Sequence, residues 1–237
     1  MRMDAMLGFV DRYCADPVRK NALDAGCGPG VFLKKLVERG FTATGIDMSD
    51  EMLKLAEGRL KGAGACSLKK GDIENLPFQD DSFDLVSSAG VIEYLNSDDG
   101  ALRELKRVLR RDGMLLISVT NKYSYNLLAD NLLNYVRRNR LLFRISDGIN
   151  RRVLGRGKLK QQDFTIRKHS PGLFEEKLKA FGFQVIDSSF FYFLPLPHPL
   201  ELLVPGTGKI GAKMEGLAKT KMRFMGEGYL LICRNVK

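Results

Sequence analysis

Apolar residues follow two different periods along the first half of the chain. Short apolar runs typical of buried strands lie in "KNALDA", "FTATGID", "ACSLKKGD", "FDLVSSAG" and "GMLLISVTN". Between them lie amphipathic segments with helical spacing, such as "GVFLKKLVERG", which places Phe32, Leu33 and Leu36 on one face. Strands that alternate with helices pair in parallel, and right-handed crossovers place helices on both faces of the sheet. The pattern therefore predicts a doubly wound α/β sheet.

Polar residues at the predicted helix starts support this arrangement. Ser49 is expected to cap the helix "SDEMLKLAEGRLK", and Ser170 with Pro171 is expected to begin the helix in "SPGLFEEKLKAFGF". The acidic cluster "NSDDG" at 96–100 precedes the predicted helix "SDDGALRELKRVLRRDG". We interpret this cluster as helix N-capping rather than as a metal site.

The regular alternation stops after Asn121. Residues 122–169 contain no convincing strand, and a second irregular segment covers 195–228 before the last predicted strand, "YLLICRNV". No internal repeat is visible. We therefore expect one domain over residues 1–237 with a basic helical insertion at 122–169 and a second insertion at 195–228.

Composition places the chain among globular proteins, since 44% of its residues are hydrophobic and 28% are charged. Its four cysteines show no Cys-x-x-Cys spacing, which argues against a disulfide framework or a zinc site and fits a reducing cytosol. The first residues lack the apolar core of a signal peptide, and the apolar stretch "FFYFLPLPHPLELLVP" carries four prolines, which a spanning helix tolerates poorly. We expect a cytoplasmic protein, with peripheral membrane association left open.

The loop "DAGCGPG" joins the first predicted strand to the first predicted helix and brings backbone N–H groups to the carboxyl edge of the sheet. Its glycines Gly26, Gly28 and Gly30 have the spacing G-x-G-x-G, whereas a dinucleotide-binding loop has G-x-G-x-x-G. Asp24 precedes them, and a carboxylate suits a ligand with a positive group better than a pyrophosphate. A nicotinamide dinucleotide is therefore disfavoured.

Two further acids end the next strands. Asp47 ends the second strand, where a carboxylate can accept both hydroxyls of a ribose. Asp72 ends the third strand in a position for an exocyclic amine, and Ile73 follows it in a position to pack on a flat base. Together these residues indicate a ligand with a cationic amino-acid end, a ribose and a purine.

The motifs "ALDAGCGPG", "GIDMS", "GDIENLPFQDDSFDLV", "GVIEYL" and "LRELKRVLRRDGMLLISV" resemble those of class I S-adenosylmethionine-dependent methyltransferases. The similarity is greatest to the group that includes ubiquinone and menaquinone biosynthesis methyltransferases, and it covers residues 20–120. It implies a Rossmann-like seven-stranded sheet whose last strand is antiparallel and lies between the fifth and the sixth. By position it implies that Met48 packs on the adenine, and that Ala89 lines the floor near the sulfonium. The same resemblance assigns the methionine pocket to Asp24, Gly26, Gly28 and Gly30, the ribose to Asp47, and the edge of the base to Asp72 and Ile73.

A hydroxyl or protonated amine acceptor also needs a general base. The candidates are His169, which precedes a helix, and Glu93 with Tyr94, which follow the fourth strand near the expected methyl group. Each also has a structural interpretation, as a pre-cap residue for His169 and as a loop-fixing residue for Glu93. No residues have metal-ligand spacing, so we expect methyl transfer without a metal.

Charge is concentrated in one segment, because residues 122–169 hold 12 Lys or Arg against 3 Asp in a chain of net charge +10. Such a run is commonly a solvated face, but its interleaved leucines also suit a lid over a small-molecule or lipid-like, anionic acceptor, or contact with an anionic membrane. An RNA methyltransferase with this segment as its footprint stays an alternative, as does a non-catalytic S-adenosylmethionine-binding protein. The pattern does not predict an oligomeric state.

Overall fold

The computed structural model describes residues 2–14, 16–18, 20–124, 166–193, 220 and 224–236. The lid predicted at 122–169 and the second insertion predicted at 195–228 lie mostly outside these residues. The described helices are α1 (Arg2–Tyr13), α2 (Val31–Glu38), α3 (Asp50–Leu60), α4 (Asp99–Val108) and α5 (Pro171–Ala180), and a 3₁₀ turn lies at Ile92–Tyr94. The strands are β1 (Asn21–Ala25), β2 (Thr42–Asp47), β3 (Cys66–Lys70), β4 (Phe83–Ala89), β5 (Leu109–Thr120), β6 (Phe183–Phe191) and β7 (Gly228–Asn235).

The strands form a seven-stranded sheet in the order β3-β2-β1-β4-β5-β7-β6. The first five strands are parallel, and β7 runs antiparallel to both β5 and β6. The order reverses between β1 and β4, and an open α/β sheet binds its ligands outside the carboxyl ends of the strands at such a reversal. The predicted seven-stranded sheet with an inserted antiparallel last strand is confirmed.

Helices cover both faces of the sheet, as the alternating pattern predicted. On one face, α4 and α5 bury Leu102, Leu105 and Phe174 against β4, β5 and β7. On the other face, α1 packs against β6 and β7, α2 against β1 and β2, and α3 against β2 and β3, and these helices bury residues such as Phe9 and Leu36. Burial of each large apolar side chain contributes about 1.5–3 kcal/mol, so these two layers hold the carboxyl edge of the sheet in place.

The three helix starts agree with the sequence, but of the three expected caps only Ser49 makes a side-chain hydrogen bond to its helix, and neither Ser170 nor Asp98 does so. The Ser49 hydroxyl accepts the N–H of Met52 and so caps α3, and Pro171 occupies the first turn of α5. The prediction of N-capping at 96–100 was wrong for Asp98, which stands before α4 but makes no side-chain cap. Its carboxylate instead accepts hydrogen bonds from Arg167 and Lys177 and lies 3.2 Å from Nε2 of His169.

Two other elements differ from the sequence prediction. The helix expected to run through "LRRDG" ends at Val108, because Leu109 already pairs with Phe83 and Asp112 adopts a left-handed backbone with φ 59°. The helix α1 was not predicted, although Met6, Phe9 and Val10 have helical spacing and are buried. This helix places the beginning of the described chain beside the carboxyl edge of the sheet.

Within the described residues, no helix has the length and apolar character needed to span a membrane. The same part of the chain brings together no group of three His, Cys, Asp or Glu side chains that could hold a metal ion. Metal-independent chemistry stays a prediction.

Candidate cofactor and acceptor site

A cleft of about 950 Å³ opens at the carboxyl edge of the sheet, where the strand order reverses. It lies between the glycine loop after β1, the end of β2 and the turn after β4. The predicted site residues that line it are Asp24, Gly26, Gly28, Asp47, Met48, Ile73, Ala89 and Tyr94. A cleft of this size is typical of small-molecule and cofactor sites.

The glycine loop is held against β2 by backbone hydrogen bonds. The N–H groups of Gly26 and Cys27 both donate to the Ile46 carbonyl, at 2.8 and 3.0 Å. Gly26 has φ 81°, and a Cβ there would lie 2.3 Å from a methyl carbon of Val91. Only glycine therefore fits both the backbone angle and the close approach of the turn after β4.

Asp47 connects the loop to the end of β2 through both of its oxygens. One oxygen accepts the N–H of Gly28 at 2.8 Å, and the other accepts the N–H of Ser49 at 2.9 Å. These bonds fix the carboxylate on the cleft wall, where each oxygen still has a free lone pair for a hydroxyl. The arrangement suits the ribose that the sequence predicted for Asp47.

Asp24 is buried at the floor of the cleft and accepts a hydrogen bond of 2.7 Å from the Ser87 hydroxyl. Burial raises the pKa of Asp24 to about 6, and the Ser87 hydrogen bond opposes part of this rise. The carboxyl is therefore ionised near neutral pH. A buried carboxylate with one side-chain partner is a favourable site for a ligand's ammonium group.

Two of the predicted cofactor residues do not line the cleft. Gly30 precedes α2 with φ 72°, and a Cβ there would lie 3.0 Å from Ala56, so its role in this structure is helix packing. Asp72 accepts the N–H of Glu74 at 2.9 Å in a local turn, while the neighbouring Ile73 does line the cleft. The predicted contact of Asp72 with the base stays a prediction.

The turn after β4 forms the other end of the cleft. Tyr94 is exposed on the cleft wall, and Glu93 is buried behind it. One Glu93 oxygen accepts the Thr120 hydroxyl at 3.2 Å, and the second is buried without a hydrogen-bond partner. Burial raises the pKa of Glu93 above its ordinary value of 4.5. Glu93 is therefore a carboxyl group with basic character next to the cleft.

Arg2 is a site residue that the sequence did not indicate. A Cβ at Gly90 would lie 2.8 Å from an Arg2 guanidinium nitrogen and 3.8 Å from a Glu93 oxygen, so these two charged groups converge on Gly90. Among the described residues that line the cleft, Arg2 carries the single positive charge. The helical spacing of Met6, Phe9 and Val10 was the signal that could have placed α1, and with it Arg2, at the cleft.

His169 does not line the cleft. It is buried, packs edge-on against Phe174, and places Nε2 at 3.2 Å from Asp98. Its backbone N–H donates to the Thr120 carbonyl at 2.8 Å. The structure therefore puts His169 behind the acceptor end of the cleft, not in contact with it.

Comparison with known proteins agrees with this geometry. Residues 23–117 match the family model described as a methyltransferase domain. The chain is 42% identical over 123 residues to a malonyl-[acyl-carrier protein] O-methyltransferase of Erwinia pyrifoliae, covering 48% of this chain and 46% of that protein. It is 30% identical over 118 residues to a ubiquinone biosynthesis O-methyltransferase of Nitrosospira multiformis, covering 49% of each. These matches identify a methyltransferase domain of the class I S-adenosylmethionine-dependent type within residues 23–117 of the chain.

The resemblance drawn from the sequence motifs is thereby confirmed. The fold also matches a magnesium protoporphyrin IX methyltransferase of Synechocystis, solved with bound SAH, at a TM-score of 0.64 and 13% identity over 99% of this chain and 82% of that one. The chain spans about half the length of the curated relatives it matches.

The residues of the cleft fit S-adenosylmethionine, the cofactor of this methyltransferase class. Asp24 and Arg2 supply charges of opposite sign for the ammonium and carboxylate of an amino-acid end. Asp47 supplies acceptors for a ribose, and Ile46, Met48 and Ile73 supply apolar surface for a base. We refer to the part of the cleft beside the ends of β1–β3 as the cofactor half, and to the part beside the turn Ile92–Tyr94 as the acceptor half.

Proposed function

We propose that this methyltransferase moves a methyl group from S-adenosylmethionine to a small-molecule acceptor. The observation that carries the proposal is the cleft itself, in which Asp24, Asp47 and Glu93 line or adjoin one continuous space. When bound, S-adenosylmethionine supplies an electrophilic methyl group. The chain's own residues then orient the two reactants in line, which is the main catalytic demand of such a displacement.

Glu93 is the candidate general base in this proposal. Its raised pKa and its position beside Gly90 suit it to accept a proton from a hydroxyl or ammonium acceptor. Tyr94 lies exposed on the wall, where its ring can pack against the acceptor. His169 has no contact with the cleft, so we place its contribution behind Glu93.

Calorimetry with S-adenosylhomocysteine and with NAD tests the cofactor, because the proposal requires the first to bind and the second to bind weakly. Transfer of a radiolabelled methyl group to a malonyl thioester or to a demethylated quinol then tests the acceptor class. These two probes follow the substrates named for the relatives. Glu93→Gln should lower turnover at least about tenfold, the lower range for loss of a general base, with cofactor affinity retained. Tight binding of NAD alone would refute the assignment.

The chemical class of the acceptor is inferred from the positive charge of one segment. The basic segment at 122–169 supports an anionic, lipid-like acceptor and peripheral association of a cytoplasmic protein with anionic membrane. Changing Arg137, Arg138, Arg151 and Arg152 together to Gln should reduce binding to phosphatidylserine vesicles, and salt should have the same effect because it screens exposed charges.

The same variant separates the alternatives. Unchanged vesicle binding with lost tRNA binding would favour the RNA methyltransferase. Cofactor binding without transfer to any acceptor, in the presence of an intact Glu93, would favour the non-catalytic protein. EDTA should leave turnover unchanged if the reaction is metal-independent.

A further inference from the structure

One buried carboxylate joins three separate parts of the chain behind the acceptor half of the cleft. Asp98 is 4% exposed and lies in the loop that follows the turn Ile92–Tyr94. Its carboxylate accepts hydrogen bonds from Arg167 and Lys177 and lies 3.2 Å from His169 Nε2. Burial alone would raise the pKa of Asp98, but these three partners together lower it below its ordinary value of 3.8. Asp98 is therefore an ionised group held by cations from residues 167–177.

Arg167 extends this contact to the cleft wall. The guanidinium nitrogen that bonds Asp98 also donates to the Ile92 carbonyl at 3.0 Å, and the Arg167 backbone N–H donates to the Glu93 carbonyl at 2.9 Å. Arg167 thus bonds the first two residues of the turn that carries Glu93 and Tyr94. Lys177 bonds only Asp98 and Asp99 among these residues and does not reach the turn.

Among the described residues, three buried polar side-chain atoms near this contact have no hydrogen-bond partner. Glu93, Arg167 and His169 each have one buried side-chain nitrogen or oxygen without a hydrogen-bond partner. Unpaired buried polar atoms lower stability, so this cluster is not the arrangement that packing alone would favour. Proteins tolerate such destabilising buried polar groups mainly at functional sites, and this cluster adjoins the cleft.

We propose that Asp98 and Arg167 are positioning residues that hold the turn Ile92–Tyr94, and with it the Glu93 carboxyl, in place for methyl transfer. Asp98 fixes the guanidinium of Arg167, and Arg167 fixes the backbone of the turn. His169 adds a second contact, because it bonds Asp98 through its ring and the end of β5 through its backbone. The proposal rests on the proposed function, since it assigns a purpose to the position of Glu93.

The experiment compares four variants of the full chain with S-adenosylhomocysteine bound. Asp98→Asn and Arg167→Gln break the connection to the turn. Lys177→Gln removes a cation from Asp98 without touching the turn, and Asp84→Asn breaks a more exposed carboxylate–guanidinium pair with Arg110 away from the cleft. Amide hydrogen exchange of Tyr94 and Leu95 is measured, because their N–H groups bond Val91 and Ile92 within the turn.

The expected result is exchange at Tyr94 and Leu95 that is faster by about tenfold or more in Asp98→Asn and Arg167→Gln, with little change in Lys177→Gln and Asp84→Asn. A carbon-13 NMR titration of Glu93 gives the second measurement. Its pKa should fall toward the ordinary value when Arg167→Gln lets the turn open, because the carboxyl then gains solvent. Arg2, His169 and Tyr94, the charged or titratable groups that face Glu93, are unchanged in that variant.

Equal exchange in Arg167→Gln and Lys177→Gln, or an unchanged Glu93 pKa in a folded Arg167→Gln, would overturn the proposal. If Asp98→Asn fails to fold, the amide exchange of Arg167→Gln alone tests the proposal. Gln at position 169 can still donate to Asp98, so His169→Gln should show nearly wild-type exchange at Tyr94 and Leu95. Failure of the wild type to bind S-adenosylhomocysteine would refute the proposed function, and the exchange comparison without ligand would still test the positioning.

Discussion

The two halves of the cleft are held together by different kinds of contact. In the cofactor half, the glycine loop bonds Ile46 and Asp47, which lie some twenty residues further along the chain. These contacts are mostly backbone bonds between adjacent parallel strands. In the acceptor half, the turn Ile92–Tyr94 is held by Arg167, which lies 75 residues from Ile92 and bonds it through its side chain.

This difference implies that the halves respond differently to substitution. A change in the cofactor half should alter ligand affinity and leave the rest of the fold in place, since β1 and β2, which carry the glycine loop and Asp47, are each paired on both sides. A change in the acceptor half should alter stability and the position of Glu93, and leave cofactor affinity nearly unchanged.

Gly26→Ala should have the largest effect, because Gly26 is the point where the halves touch. The new Cβ would lie 2.3 Å from Val91 at φ 81°, so both the loop and the turn must move. We expect loss of S-adenosylhomocysteine binding by more than about a hundredfold, measured by calorimetry. Gly28→Ala is the control, since its backbone is also left-handed but a Cβ there meets no atom within 4 Å. A smaller effect at Gly26 than at Gly28 would contradict this.

Asp98→Asn should lower the free energy of unfolding by about 1–3 kcal/mol, because it removes the buried charge that accepts hydrogen bonds from the partly exposed Arg167 and Lys177. Urea denaturation measures the loss, and cofactor affinity should stay within about twofold. The low pKa of Asp98 means that its stabilisation is present above pH 4 and is lost as pH falls below its ordinary value of 3.8. That acid-dependent loss should be absent from the variant.

Asp47→Ala should weaken S-adenosylhomocysteine binding by about 1–3 kcal/mol, since it removes the ribose acceptor and strands the Gly28 N–H. Thermal unfolding should change little. Asp50→Ala, which removes only an exposed pair with Lys70, is the matched control. Equal affinity in wild type and Asp47→Ala would remove the ribose assignment.

Arg2→Gln should weaken binding of S-adenosylhomocysteine by about tenfold, the usual size for a charge-assisted hydrogen bond. It should leave binding of 5′-methylthioadenosine unchanged, because that molecule has no carboxylate. An equal loss for both ligands would show that Arg2 acts on the shape of the cleft and not on the carboxylate.

Acidification should produce the smallest effect. With the pKa of Asp24 raised to about 6, the carboxyl becomes neutral as pH falls through that value and no longer attracts an ammonium group. Affinity for S-adenosylhomocysteine should fall about fourfold between pH 7.5 and pH 5.5. Calorimetry at both pH values checks this, and Asp24→Asn should show no such dependence.

Much of the cofactor half could be predicted from the sequence. The glycine loop, Asp24 and Asp47 lie at strand ends, and parallel strands bring their carboxyl ends to one edge whatever the rest of the chain does. The apolar periods likewise predicted the order of strands and helices from β1 onward, whereas α1 was missed. Short-range periodicity and strand-end position carry this information because both depend on residues close in the chain.

The arrangement of side chains in the acceptor half could not be predicted from the sequence, because it depends on tertiary structure. Asp98 reads locally as a helix cap, but burial beside Arg167, His169 and Lys177 makes it an ion-pair centre instead. Arg2, which we assign to the carboxylate of the cofactor, was not indicated by the sequence either, because only the packing of α1 on the sheet brings its guanidinium to Gly90. The sequence by itself therefore determined the fold class, the cofactor and the floor of the cleft, since these follow from local pattern. Only the packing of distant segments, through side-chain contacts that no local period encodes, decided which charged groups stand around Glu93.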